Sequence, residues 1–278
     1  MRIKATIKAS KSIIASDLFD CCFGGLDLEI PEDPRIFSLM EFGGVKIGKA
    51  PVDKFTVPNV PPTKEQFNTD FCVGMETSYT VEQDYVLELS DREDKWIKRL
   101  AAAFNFAATK KRYYGGDYSG FGLSIPCALG SAQHDGICLE SLWPMLASSN
   151  KRNYMANYRN IPDEAWEDAA TRKMKKGYFK VDLFRNKYDN FCAGMYHWHE
   201  MIITGLYWYQ GFYLNEEKKL VMNMRGGKMG HCVSAKGFDI HPKNGKKRMW
   251  FADSYFKNPE WWLYEDEVNR YFYNGLRS

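Results

Sequence analysis

The sequence predicts an α+β fold, with helices in its first part and an antiparallel sheet in its second. Val73, Thr77, Val81 and Tyr85 recur every four positions, the spacing of one helix face. From about Tyr178 the texture changes, and the stretch 202–214 is dense in Ile, Leu, Tyr, Trp and Phe, as strands are. The 278 residues, 45% hydrophobic, 15% aromatic and 26% charged, suffice for one large core or two smaller ones and exclude a disordered tail.

The first sixty-odd residues are punctuated by Gly24-Gly25, Pro31, Pro34, Gly43-Gly44, Pro51, Pro58, Pro61 and Pro62, so the lead-in is irregular. A first helix then starts at Cys72. Ser90 with Glu93 forms a capping-box pattern ahead of Trp96, Leu100, Ala103, Phe104 and Ala107, which predicts a second helix ending in Lys110-Lys111 before Gly115-Gly116. Ser124 caps a third, with Ile125, Leu129 and Ala132 as its apolar stripe and Gly136 as terminator. Pro162, Asp163 and Glu164 open a fourth that passes Trp166, Ala169 and Lys173 and stops at Gly177, acids first and bases last as the helix dipole favours. Strands are expected over 202–214, 220–224, 231–239 and 249–254. Asn244-Gly245 joins the last two as a tight hairpin whose two central residues take positive φ.

Charge excludes some function classes. Lys plus Arg is 38 against 35 Asp plus Glu, a net +3 spread along the chain, so no nucleic-acid face is implied. Lys243 to Arg248 reads as the solvated tip of a hairpin. Seven cysteines, at 21, 22, 72, 127, 138, 192 and 232, lack CxxC spacing and read as mostly reduced thiols, with Cys21-Cys22 packed or exposed and not a redox motif. Arg2, Lys4, Lys8 and Lys11 precede no signal-length apolar stretch, and the near-apolar run from Leu100 to Ala108 is interrupted by Asn105. The expectation is a soluble, cytoplasmic or virion-associated protein with no membrane partner. His197 and His199 would share one face of a strand, but no acidic or cysteine partner stands at ligand spacing, so no metal or organic cofactor is expected.

The chemistry gathers around one thiol. A cysteine at a helix N-terminus meets the positive end of the dipole and backbone N–H donors, which favour thiolate over thiol. Cys72 occupies such a position, although a lone cysteine is by default a buried structural thiol. A nucleophilic thiolate also needs a histidine base and a group to orient it, distant in sequence and adjacent in the fold. His231 opens a strand after the loop 225–230, and the hairpin at Asn244-Gly245 returns the next strand, carrying Asp253, alongside it.

In this arrangement the chain resembles the papain-like cysteine peptidases, in particular their disulfide-poor bacterial and viral branch. That family places a Gln six residues before the nucleophile as an oxyanion-hole donor, and Gln66 precedes Cys72 by that interval. Its histidine block is similar to Gly230-His231-Cys232-Val233-Ser234-Ala235-Lys236-Gly237-Phe238-Asp239, and its third block to Trp250-Phe251-Ala252-Asp253-Ser254-Tyr255. Gly136 to Pro144 looks like the segment that closes the helical lobe. Ser119-Gly120-Phe121-Gly122 falls where the family carries a substrate-binding edge, which assigns Gly120, Phe121 and Gly122 to substrate.

The resemblance covers about residues 50–265 and implies a two-lobed fold, the helical lobe over roughly 49–160, the sheet lobe over roughly 161–278, and a cleft between them. It implies hydrolysis of a peptide or protein by Cys72, His231 and Asp253 with Gln66 and the Cys72 amide on the oxyanion. Three positions depart from the pattern: Asp253 replaces Asn, Tyr255 replaces Trp, and Val73-Gly74 replaces Trp-Ala. Because Cys-His-Asp also serves transglutaminase-like acyl transfer, that reaction stays open, as does a papain-like domain repurposed as a structural or binding component of a larger, possibly viral, assembly. Residues 1–48 have no counterpart in the family's mature enzyme and read as an arm for an assembly partner or a short pro-segment.

Overall fold

The computed structural model of the chain describes residues 37–38, 50–67, 69–88, 99–147, 151–174, 179–180, 186–255 and 260–272. It divides into two compact units, Asn59–Gly177, and Met1–Pro58 together with Tyr178–Ser278. The described part of the first is helical and that of the second is mainly sheet. The arm at residues 1–48 falls outside the described residues except for Phe37–Ser38 (β1), which pairs parallel with Phe179–Lys180. Cys21-Cys22, Ser90 and Glu93 also lie outside them.

The helical unit is built on α1 (Cys72–Glu88), α2 (Ala102–Tyr113) and α3 (Ile125–His134), followed by α4 (Arg152–Ala156), a 3-10 turn at Tyr158–Asn160 and α5 (Asp163–Ala170). The first helix begins at Cys72 as expected, but more than one stripe of it is covered. Glu76, Thr77, Ser78, Glu82 and Gln83 are buried with Val73, Met75, Tyr79 and Val81. Polar residues tolerate this where partners meet them. The Glu82 carboxylate accepts from the Arg99 Nε at 3.0 Å and the Leu100 amide at 2.6 Å, and pairs with the Lys64 Nζ at 2.7 Å. Gly74 lets the first two helices approach: a Cβ there would lie 2.8 Å from the Ala102 carbonyl oxygen.

The second helix starts later than its capping pattern suggests. Leu100 forms an antiparallel bridge with Leu139, and Ala101 is the extended N-cap. The bridge ties residues 99–101 to Cys138 and Glu140, leaving the helix to begin at Ala102. Ser124 is the N-cap of α3 by backbone geometry, without a side-chain cap bond. Pro162 likewise stands outside its helix, which ends at Ala170, where the Thr171 and Arg172 amides fold back onto the Asp168 and Ala169 carbonyls.

The other unit carries a five-stranded sheet of β2 (Phe55–Thr56), β4 (Ile202–Tyr209), β7 (Lys228–Ile240), β8 (Lys247–Ala252) and β9 (Glu260–Tyr264). Between these in sequence lie β3 (Phe179–Lys180), β5 (Tyr213–Leu214) and β6 (Leu220–Val221), and α7 (Glu265–Tyr271) follows the sheet. The long β7 organises it, with β8 along one edge and β4 then β2 in succession along the other. Phe251 stacks on Trp261 at 4.6 Å and on Phe272 at 4.6 Å, and these rings are buried.

Two expectations are corrected here. A helix, α6 (Lys187–Trp198), lies where the texture was expected to turn to strand from about Tyr178, so His197 lies in a last helical turn and His199 is its left-handed cap with φ 57°. The two histidines therefore do not share a strand face. Its apolar positions 188, 191, 192 and 195 follow a helical period that the aromatic density obscures. The hairpin turn also differs: Gly245 takes positive φ and Asn244 does not. A longer loop results, closed by the Gly245 amide on the His241 carbonyl at 3.0 Å and the His241 amide on Lys246 at 2.8 Å.

A bulge at Lys236 shifts the register of the β7 and β8 pair: Gly237 faces Trp250, whereas Ala235 faces Phe251. The Lys236 carbonyl accepts from the Val57 amide at 2.9 Å, and at Gly237 the neighbouring backbone comes close, since a Cβ there would sit 2.8 Å from the Phe55 carbonyl oxygen. Gly237→Ala is expected to push β2 off the sheet and cost about 1–3 kcal/mol by overpacking. Thermal unfolding checks this, and an unchanged Tm contradicts it.

Candidate functional site

Cys72 is the first residue of α1, 8% exposed, and carries a free thiol. Two anchors fix the chain before it. The Tyr79 hydroxyl donates to the Lys64 carbonyl at 2.9 Å and accepts from the Lys64 amide, and burial, with Glu76 adding to it, raises that phenol well above its usual pKa. Phe71 stacks on Phe106 with ring centres 4.2 Å apart, placing the residue before the thiol in the core. Between them runs a tight turn in which Phe67 takes φ 54°. The Thr69 hydroxyl donates to the Gln66 carbonyl at 2.6 Å, and the Gln66 Nε2 donates to the Thr69 carbonyl at 2.9 Å. Gln66 is thus buried on the approach to Cys72, and a primary amide carries two N–H donors.

Asp70, two residues before Cys72, does what the sequence did not suggest. Its carboxylate accepts from the Arg152 Nε at 2.8 Å and Nη2 at 2.7 Å, and from the Gly122 amide at 2.7 Å. Arg152 gives its remaining donors to the Gly120 carbonyl at 2.8 Å, the Tyr118 carbonyl and the Asn153 Oδ1 at 3.0 Å. Gly120, Phe121 and Gly122 are therefore lashed to the segment that presents Cys72. The guanidinium also lies 5.4 Å from the centre of the Phe121 ring, itself 66% exposed. Nothing in the sequence spacing points to the pairing of Asp70 with Arg152.

In the sheet unit, His231 and Asp253 meet: the His231 Nε2 and the Asp253 Oδ1 are 2.8 Å apart, and both side chains are buried. The bulge places them. With Ser234 facing Ala252, the next residue, Asp253, comes opposite Val233, which lies on the same face of β7 as His231. The Tyr255 amide donates to Oδ1 at 2.8 Å, and the Trp261 indole N–H donates to Oδ2 at 2.8 Å. Trp208, brought in by the pairing of Leu206 with His231 and of its own position with Met229, stands edge-on to the imidazole at 5.0 Å. Tyr255, which the resemblance sets in place of a tryptophan, lies 5.8 Å from the same ring. Trp208 and Trp261 were not singled out from sequence.

Among the described residues no three His, Cys, Asp or Glu side chains group as metal ligands, and no helix is long and apolar enough to cross a membrane.

No family model matches the chain, and no curated protein matches it. Solved structures do. Xylellain, a cysteine protease from Xylella fastidiosa, is 14% identical with a TM-score of 0.65, over 93% of this chain and 98% of that one. Digestive procathepsin L 3 from the larval midgut of Tenebrio molitor is 11% identical with a TM-score of 0.53, over 95% and 75%. The cysteine protease and lectin-like domains of Cwp84, a surface-layer associated protein of Clostridium difficile, are 13% identical with a TM-score of 0.52, over 80% and 49%. The chain has the α+β fold of the papain-like cysteine proteases.

Arg152→Ala is expected to leave the Asp70 carboxylate without its charged partner and to cost about 3 kcal/mol. Denaturant unfolding measures this, and the Gly122 amide should exchange with solvent faster in the variant. Wild-type stability and exchange would sink this account of the tether.

Proposed function

We propose that this papain-like fold is a cysteine peptidase, with Cys72 as nucleophile, His231 as its base and Asp253 holding His231. The observation that carries the reading is the buried pair of His231 and Asp253. An ionised carboxylate is acceptor-only, so the bonded Nε2 carries the proton and Nδ1 is the basic nitrogen. The start of α1 supplies the other half, a cysteine facing the positive end of a helix dipole.

In the proposed reaction the Cys72 proton passes to the His231 Nδ1 and the thiolate attacks the peptide carbonyl carbon. The oxyanion takes hydrogen bonds from the Cys72 amide and from the Gln66 Nε2. The imidazolium returns its proton to the leaving amine as the C–N bond breaks, and an acyl thioester remains. Water, deprotonated by the same imidazole, then releases the acid. The edge Gly120–Phe121–Gly122 is assigned to the substrate chain, which its exposed ring suits. The aspartate at position 253 also keeps acyl transfer to an amine in view, and adding a primary amine to the peptide assay decides it: a dominant amide-exchange product replaces plain hydrolysis as the assignment.

Alkylation by iodoacetamide, mapped by mass spectrometry across pH, tests the pair itself. Its rate follows the thiolate fraction, rising about tenfold per pH unit up to the thiol pKa. Burial pushes Cys127 up to about 11 and Cys138 up to about 12, so both should label slowly at neutral pH and accelerate only in strong alkali. Cys72 should label far faster than either at neutral pH. That advantage should vanish in His231→Ala. Slow labelling of Cys72 that ignores His231 would overturn the peptidase reading and favour a structural role for the fold.

A further inference from the structure

Asp253 stands where the resemblance expects an asparagine, and its three neighbours supply a reason. The Tyr255 N–H and the Trp261 indole N–H can only donate, and they reach opposite oxygens of the side chain, Oδ1 and Oδ2. The His231 Nε2 shares Oδ1 with the Tyr255 amide. A carboxylate accepts from all three at once. An amide has one acceptor oxygen and one donor nitrogen, so it faces a choice. With its oxygen toward His231 and Tyr255, its NH2 meets the Trp261 N–H, donor against donor in a buried site. With its oxygen toward Trp261, its NH2 takes the place of Oδ1 and meets the Tyr255 N–H, again donor against donor, as well as the His231 Nε2.

We infer that Trp261 is a positioning residue: its indole N–H dictates an acceptor-only carboxylate at position 253 and thereby fixes His231 as the tautomer protonated on Nε2, with Nδ1 left basic. Trp261 acts through Asp253 and is not assigned any contact with substrate. The tautomer itself is a property of the sheet unit. Its consequence for turnover rests on the peptidase reading, in which Nδ1 takes the thiol proton.

The test compares wild type, Asp253→Asn, Trp261→Phe and the double variant in the full chain, using nitrogen-15 NMR of the histidine rings to report which nitrogen of His231 is protonated. Asp253→Asn alone has a donor clash in either orientation of its amide, so the single Nε2-protonated tautomer should give way to a mixture, with Tm and peptide turnover lowered. Adding Trp261→Phe removes the opposing donor, so the double variant should regain the Nε2 proton. Its Tm should lie above the value expected by adding the two single effects. If Trp261→Phe proves too unstable to measure, an analogue at position 261 with sulfur in place of the indole N–H keeps the shape and removes only the donor.

An Asp253→Asn variant as stable and as uniformly protonated on Nε2 as wild type overturns the inference, and so does a double variant that keeps the mixture. A wild type that hydrolyses no peptide while the tautomers follow this pattern refutes the peptidase reading and leaves the role of Trp261 standing. An active enzyme with no coupling between positions 253 and 261 refutes the role of Trp261 alone.

Discussion

A carboxylate taken fully out of water is tolerated only when hydrogen bonds replace its hydration, and Asp253 is wholly buried. Much of the sheet unit answers that requirement. The turn after β8 supplies the Tyr255 amide, β9 the Trp261 indole and β7 the imidazole, each at 2.8 Å. Trp208 and Tyr255 then wall the imidazole with rings, excluding the water that would compete for those bonds. The bulge at Lys236, held by Val57, sets which face of β7 the carboxylate meets.

The helical unit meets the same constraint with different parts. Its buried charges are met by side chains and backbone together: Glu82 takes Lys64, Arg99 and the Leu100 amide, and Arg152 takes Asp70 and the carbonyls of Tyr118 and Gly120. Electrostatics and chain path are one design there. The charge that stabilises a loop also decides where the loop goes, which is how a segment rich in Gly, Ser and Asp keeps one shape beside the thiol.

The sequence declared its helix starts and strand runs well where periodicity was clear, as at Cys72, or a cap residue agreed with it, as at Ser124. It failed where tertiary contacts overrode local preference. Leu100 has the apolar character of a helix position, yet its bridge to Leu139 pulls it into extended backbone. The helix Lys187–Trp198 was hidden because aromatic residues suit strands and buried helices alike. At the candidate site the sequence singled out Cys72, His231 and Asp253 because a proposed nucleophile, base and orienting group must be of particular types in a particular order, and the structure pairs the last two. Arg152 and Trp261 were not singled out, because a supporting residue need only reach its target, and many positions along the chain could do so.

The one-residue bulge gives the hairpin of β7 and β8 an unequal tolerance for change. Side chains alternate between faces with a period of two, so a one-residue slip in the pairing of β7 with β8 would turn the aspartate to the opposite face from His231. Substitution along the outward face of these strands, or a change of length in the loop 241–246, leaves that parity intact. Divergent relatives of this chain can therefore differ along that face and in that loop and keep the pair, provided the register holds.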